Sequence, residues 1–423
     1  MSLPLVTRSR VTTRLAAIIA IAGLGVPLIA GTASAASDPT GFGFRGSGYS
    51  AQVLGGPVPV DTGRIAYVVL PCTSRTGVVR TNSAATTEPD GVPVSVGAST
   101  TTVKSMKFGN GFATASVNDV ADVRIGDATT FLQIEGLRTF ARAGFYDGAF
   151  RPFIDSSILD VDLVLAGVPT AITVQQLREG FTLPGIATVT LGGGETSKGD
   201  RFAEARATGL FIELLGGGDP TTVTVGRAYA RIDRTTPSGA FSGGSQVARV
   251  RSTSGLLQSG PLANRPMPCP GTNGRTLANN LVDTDPQQLG QFVRITGGKA
   301  TVFGKDFSTF AIARGEATVE KATLFGGRLR IDGVEVKASV RANDNGTYQM
   351  STEGTTLARI RFDGVDIALP DPGESVTIPN IAQITFRSVT QYATGIQVVG
   401  VKIKLLDGRA SVIELARVRL FID

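Results

Sequence analysis

The feature that most restricts the fold of this chain is an internal repeat. Residues 183–191 (LPGIATVTL) read against 378–386 (IPNIAQITF), and 209–215 (GLFIELL) against 400–406 (GVKIKLL). Residues 227–233 (RAYARID) read against 417–423 (RVRLFID), and 132–137 (LQIEGL) against 329–334 (LRIDGV). Pro71-Cys72 and Asn82 find counterparts in Pro268-Cys269 and Asn279. The offset is 197 residues for the cysteines, the asparagines and the Leu132 block, then 195, 191 and finally 190. Six blocks kept in order at a slowly shrinking offset indicate one supersecondary unit written twice, with shorter loops in the second writing. The segment 192–200 (GGGETSKGD), set against the compact 387–391 (RSVTQ), reads as one such loop.

Between the repeated blocks the apolar residues alternate with polar ones. Val401, Ile403 and Leu405 point one way, Lys402 and Lys404 the other, which is the period of a half-buried strand. Asp407-Gly408 then reads as a tight turn into residues 411–422. Asp332-Gly333 and Asn345-Gly346 read as further turns. A helical period is hard to find; the best stretch is the short 173–180 (TVQQLREG). Many short strands at close spacing predict an all-β chain: two tandem copies of an antiparallel β-sandwich or jelly-roll-like domain. The copies are expected at 36–233 and 240–423, joined by a linker at 234–239 (RTTPSG), so short that the halves should touch.

The N-terminus predicts export. Arg8, Arg10 and Arg14 precede an apolar run at 15–30, which ends in Ala33-Ser34-Ala35. That order is a signal peptide over residues 1–35, with cleavage after Ala35. The run has 16 residues and contains Gly23, Gly25 and Pro27, whereas a spanning helix needs about 20 apolar residues. No membrane span is expected after cleavage. The 41 Lys and Arg against 35 Asp and Glu give +6, and three of those Arg leave with the leader, so the mature chain carries +3. This is no argument for nucleic acid as a partner, which calls for a clustered basic face.

Four short motifs, Gly46-Ser47-Gly48-Tyr49, Gly63-Arg64-Ile65-Ala66-Tyr67, Leu70-Pro71-Cys72 and Thr81-Asn82, resemble those of actinobacterial secreted proteins of the choice-of-anchor P family. The resemblance extends over the mature chain. It implies an exported cell-envelope protein whose relatives end in various C-terminal sorting signals, and it implies no activity. Here the second repeat is followed by no apolar tail, no Leu-Pro-x-Thr-Gly motif and no basic terminus. Free secretion or non-covalent wall association is therefore expected over covalent anchoring.

Composition narrows the chemistry. The chain has no His and no Trp. Imidazole bases and imidazole metal ligands are therefore missing, and with them the Ser-His-Asp and Cys-His hydrolases and most zinc enzymes. The two cysteines, Cys72 and Cys269, occupy equivalent places, one per copy. A reactive thiol needs a neighbouring cation, which Cys269 in Met267-Pro268-Cys269-Pro270 lacks, so a disulfide between the copies is the favoured reading. Equivalent residues meet where two halves are related by a twofold axis.

Other constellations read as structural. Asp155, Asp160 and Asp162 lie close together, and Glu135 and Asp332 are repeat equivalents, so a carboxylate-based hydrolase stands as a last alternative. Against it, Glu135 and Asp332 are placed in tight turns, and Asp160 and Asp162 on one solvated strand face. Asn343-Asp344-Asn345-Gly346 has an incomplete calcium-loop pattern, with Glu353 too near, so no metal and no cofactor are expected. Gly192-Gly193-Gly194 and Gly216-Gly217-Gly218 lead into no helix and carry no Lys-Ser/Thr, so they read as loops. Lys402, Lys404, Arg417 and Arg419 are candidate surface-binding residues, forming a basic stripe on the last hairpin or simply a solvated edge. The expectation is a non-catalytic, secreted or envelope interaction protein whose partners are cell-wall polymers or other envelope proteins. A module for wall glycans or anionic polymers is the alternative.

Overall fold

The computed structural model describes residues 39–55, 64–87, 92–215, 221–235, 239–251, 262–283, 293–406 and 411–423. The expected signal peptide, the expected turn at Asp407-Gly408, the Gly216 triplet and residues 236–238 of the expected linker lie outside the described residues. What is described is almost wholly antiparallel strand, arranged in four sheets. The one α-helix, Val174–Glu179, falls in the stretch marked out by sequence. Its Thr173 cap accepts from the Gln176 amide, and the Gln176 side chain accepts back from the Thr173 amide.

The first sheet runs Val68–Thr73, Phe42–Gly55, Thr221–Arg234, Phe202–Leu214, Ala187–Leu191, Phe181–Leu183. The second is a meander, Val79–Ala84, Ser99–Phe108, Gly111–Gly126, Phe131–Tyr146, Asp160–Leu165, Val168–Thr170. These two sheets pack face to face as a sandwich. The third and fourth sheets form another, with the same order of neighbours. The third runs Arg265–Pro266, Phe241–Arg251, Val412–Ile422, Gly395–Leu405, Ala382–Tyr392, Ser375–Ile378. The fourth runs Leu277–Asp283, Val293–Asp306, Phe310–Leu324, Leu329–Asn343, Thr356–Phe362, Val365–Ile367.

The repeated blocks fall at matching places in this order. Leu132 and Leu329 are both fully buried, Ile212 pairs with Val189 as Ile403 pairs with Ile384, and Ile186 and Ile381 are both partly buried against their cores. Even a side-chain hydrogen bond recurs: Asn82 Nδ2 donates to the Tyr67 carbonyl at 3.3 Å, and Asn279 Nδ2 to the Asn264 carbonyl at 3.2 Å.

Two sequence expectations need correction. Asp332-Gly333 and Glu135-Gly136 are not turns. Both lie inside single long strands, Leu329–Asn343 and Phe131–Tyr146. Gly333 has φ 64°, and the pairing register is the same on either side of it. Its effect is to reverse the side-chain alternation: Leu329 and Ile331 point inward before it, Val334, Val336 and Val340 after it. A positive φ is what glycine permits most easily. Ala416, φ 48°, does the same between Leu415 and Val418, against the steric preference of an alanine. The reversal lets a strand of 11–16 residues keep burying apolar side chains while the sheet bends.

The second correction concerns 192–200. Gly194–Gly199 is a strand paired with Phe202–Leu214, not a loop. The register pairs Gly199 with Phe202 in the first copy and Tyr392 with Gly395 in the second. The offset therefore drops from 195 to 191 because this hairpin is trimmed by two residues on each arm.

The two cores differ in one respect. In the second sandwich the buried apolar residues form one continuous cluster; in the first they form two. A buried polar belt lies among the strands of the first: Thr101, Thr114, Ser116, Asn118 and Thr139 are at most 0% exposed. Asn118 pairs with Thr139 across strands, and the corresponding pair in the second sandwich is Ala317 and Val336. Asn118 Nδ2 donates to Thr101 Oγ1, while Asn118 Oδ1 and Thr139 Oγ1 are buried with no partner among the described residues. A buried hydroxyl without a partner costs about 1–3 kcal/mol. Thr139→Val, nearly isosteric, is accordingly expected to raise stability by about 1 kcal/mol, and Val336→Thr to lower it by about 1–3 kcal/mol. Chemical denaturation of the two variants checks this; equal and opposite signs to those stated would refute the account of the belt.

Candidate anion-binding cleft at the seam between the sandwiches

Cys72 and Cys269 are joined by a disulfide, with their Cα atoms 5.6 Å apart. Cys72 lies in the edge strand Val68–Thr73 of the first sheet, and Cys269 follows Arg265–Pro266 of the third. Both are buried, with Ala240 packed beside them. The backbone fits closely here: a Cβ on Gly43 would lie 2.9 Å from Cys269 Cβ and 2.8 Å from Thr235 Cγ2, so only glycine fits. The carboxylate of Asp423 closes the seam. It accepts from Thr73 Oγ1 at 2.6 Å and from the Ser74 amide at 3.3 Å, and Arg75 Nε lies 3.5 Å away.

Beside the disulfide a cavity of about 640 Å³ opens between the outer face of the first sheet and the edge of the third. Its walls carry Arg45, Arg64, Arg206 and Arg227 from the first copy and Arg419 from the second. Three tyrosines, Tyr49, Tyr67 and Tyr229, stand between them, and no carboxylate lines it among the described residues. Cross-strand register sets the layout. Arg227 lies opposite Tyr49 and Thr208; one outward step along, Tyr229 lies opposite Ser47 and Arg206; one further, Arg231 lies opposite Arg45 and Glu204.

The arginines are held in distinct ways. Arg231 is fully committed, donating to both oxygens of Asp233 and at 2.6 Å to Glu204 Oε2. These bonds hold its guanidinium above the ordinary range even though burial acts the other way. Burial alone would raise Glu204, but the Arg231 hydrogen bond and the charges of Arg206, Arg231 and Arg45 hold it below the usual carboxylate range. Arg206 leans on Glu204 Oε1 at 2.6 Å and over the Tyr229 ring at 5.5 Å. Arg45 donates to Tyr229 Oη at 2.8 Å and lies 5.7 Å from that ring, while its Nε is buried with no acceptor among the described residues. Arg64 sits between two rings, 5.3 Å from Tyr49 and 5.0 Å from Tyr67. Among the described residues Arg227 donates to Thr208 Oγ1, at 3.4 Å. Burial pushes the Tyr49 phenol above its usual value, against the opposing charges of Arg227 and Arg64, so it stays neutral beside them.

Neither a family model, nor a curated protein, nor a solved structure matches this chain. The site is therefore read from its own geometry.

Of the candidate site residues drawn from the sequence, Cys72 and Arg419 line the cleft. Of the candidate residues on the last hairpin, Lys402 lies opposite Glu414, Lys404 opposite Val412 and Arg419 opposite Gln397 further along, and the reversal at Ala416 keeps Arg417 and Arg419 on the side away from the core, as Lys402 and Lys404 are. Arg417 is nearly buried, donates to Gln397 Oε1 at 2.7 Å and pairs with Glu414 at 3.5 Å. Arg419 stacks near Phe421 and Tyr392 and also borders a second cavity, of about 380 Å³, which holds Arg75 and Arg80 on the far side of Cys72.

The other candidates sit apart from the cleft. Asp155, Asp160, Asp162 and Glu135 are exposed on the outer face of the second sheet, with Glu135 directly opposite Asp160. Asp332 is gripped by Arg330 at 2.8 Å. The side chains of Asn343 and Asn345 are taken up by Thr347, which closes that turn on itself. Among the described residues there is no group of three or more metal-ligand side chains, and no helix long and apolar enough to cross a membrane.

The signal that might have revealed the cleft was present. Tyr49, Arg64, Tyr67 and Cys72 belong to three of the four short motifs noted in the sequence, and RAYARID carries Arg227 and Tyr229 on one strand face. What the sequence lacked was the pairing that brings those segments side by side.

Proposed function

We propose that this chain is an exported, non-catalytic interaction protein of the cell envelope, built as two tandem copies of one sandwich domain clamped into a single body. The observation that carries this reading is the buried disulfide across the seam. Such bonds persist in oxidising compartments, which accords with the signal peptide. The matching order of neighbours in the two pairs of sheets supports duplication. The exposed placement of the candidate carboxylates supports a binding role over hydrolysis, since a raised-pKa acid needs a sheltered site.

The test is fractionation of the native host. The protein should be recovered outside the cytoplasm, begin near Ala36, and yield a Cys72–Cys269 peptide in a non-reduced digest. Part of it should stay with washed envelope and be released by salt. Intact Met1 on the bulk of the protein, or two alkylatable thiols, would overturn the reading.

A further inference from the structure

We infer that the seam cleft binds a linear phosphodiester polymer of the polyol-phosphate type, gripped along its backbone by arginines. The inference rests on the interaction-protein reading and names the ligand class of that protein.

Three observations lead to it. The first is charge: five arginines and no carboxylate line the cavity among the described residues, in a chain whose mature net charge is small. The residues are all arginine rather than lysine, and a guanidinium matches paired anionic oxygens with a planar fork.

The second is spacing. Arg227, Arg206 and Arg45 stand at three successive outward levels of the first sheet, those of Arg227, Tyr229 and Arg231 on the central strand. Each level is two residues further along, roughly 7 Å, and the three arginines come from three adjacent strands about 5 Å apart, so they form a staggered row across the sheet. An extended polyol-phosphate chain, with a flexible linker of a few carbon atoms between successive phosphates, can follow such a staggered row, whereas the stiff rings of a polyuronate restrict where its carboxylates fall. Arg227 and the buried Nε of Arg45 have donors to spare, and Arg206 has an edge facing away from Glu204.

The third is the condition of the aromatic rings. Tyr49, Tyr67 and Tyr229 each already carry a guanidinium near a ring face. Single-stranded nucleic acids depend on free ring faces for base stacking. Here the rings orient the arginines, so what the cleft presents to a ligand is N–H edges. Arg64 on the first sandwich and Arg419 on the second both line the cavity, and the disulfide beside it ties the two sandwiches together there.

The experiment is a titration of the disulfide-bonded mature protein with poly(glycerol phosphate), followed by fluorescence anisotropy over a range of salt. Size-matched polygalacturonate and oligo(dT) are titrated in parallel. Arg45→Gln and Arg227→Gln are each expected to weaken poly(glycerol phosphate) binding about tenfold and to lower the log–log salt slope by about one. Lys402→Gln with Lys404→Gln, on the outer hairpin, should leave binding unchanged. Thermal melts of the arginine variants serve as the folding control; a variant that melts early is replaced by Arg→Lys at the same position, which keeps charge and loses the fork. Equal or tighter binding of polygalacturonate or oligo(dT), unchanged binding in the Arg45 and Arg227 variants, or no binding at all would each overturn the proposal. In those cases retention on washed envelope separates the two readings: protein that still binds envelope keeps its role as an interaction protein and loses only this ligand.

Discussion

Replacing both Cys72 and Cys269 with serine is expected to give the largest loss of stability of any change considered. The bond spans 197 residues. In the chain-entropy model a loop of that length is worth up to about 5 kcal/mol, drawn from the freedom of the unfolded chain. The loss should also be local. The Phe241 amide donates to the Cys269 carbonyl at 2.9 Å, and Ala240 exchanges hydrogen bonds with the backbone of Asp423. With the bond gone, these amides should exchange with solvent sooner than those of the sheet centres. Denaturant unfolding and hydrogen exchange of the double variant check both parts. An unchanged midpoint would mean that the seam is held by Asp423 and its neighbours alone.

The second large effect is expected at the two buried phenylalanines. Phe44 and Phe241 are both 0% exposed and are separated by the same 197 residues as the cysteines. Phe44 lies opposite Ile232 on the neighbouring strand, and Phe241 opposite Ile422. Truncation of a fully buried phenylalanine costs about 3–5 kcal/mol, because transfer energy is lost and the surrounding packing closes only in part. Phe44→Ala and Phe241→Ala should therefore each destabilise by that amount. Phe241 has Met267, Gly271 and Gly304 around it, while Phe44 meets the Phe112 ring at 6.3 Å. A loss below about 1 kcal/mol for either would show that its site collapses freely or is not core.

The polar belt and the arginine cleft set the two similar sandwiches apart. In the first sandwich Asn118 and Thr139 take places that Ala317 and Val336 fill in the second. Its outer face carries most of the cleft, with four of the five arginines. The second contributes one wall and the other half of the disulfide.

Several features were determined by the sequence alone. Alternation of the kind seen at Val401, Ile403 and Leu405 marks strands because side chains of a pleated chain must divide between core and water. The repeat and the pairing of the lone cysteines followed from order and offset. The short helix at Thr173 followed from local capping chemistry, which needs no distant partner. Two misreadings have one cause. Asp332-Gly333 looks like a hairpin turn because the same local chemistry, a residue that tolerates positive φ, serves both a turn and a reversal inside a long strand. Only the pairing of Leu329–Asn343 with strands on both sides distinguishes them. The same holds for Glu135-Gly136, which lies inside the single strand Phe131–Tyr146. The cleft was beyond the sequence for a plainer reason. Arg206 and Arg227 come from consecutive strands, but Arg45 comes from Phe42–Gly55, far earlier in the chain, and Arg419 from the other sandwich. Their charges act as one site only because strand register and the disulfide place them together, and both are properties of the folded chain.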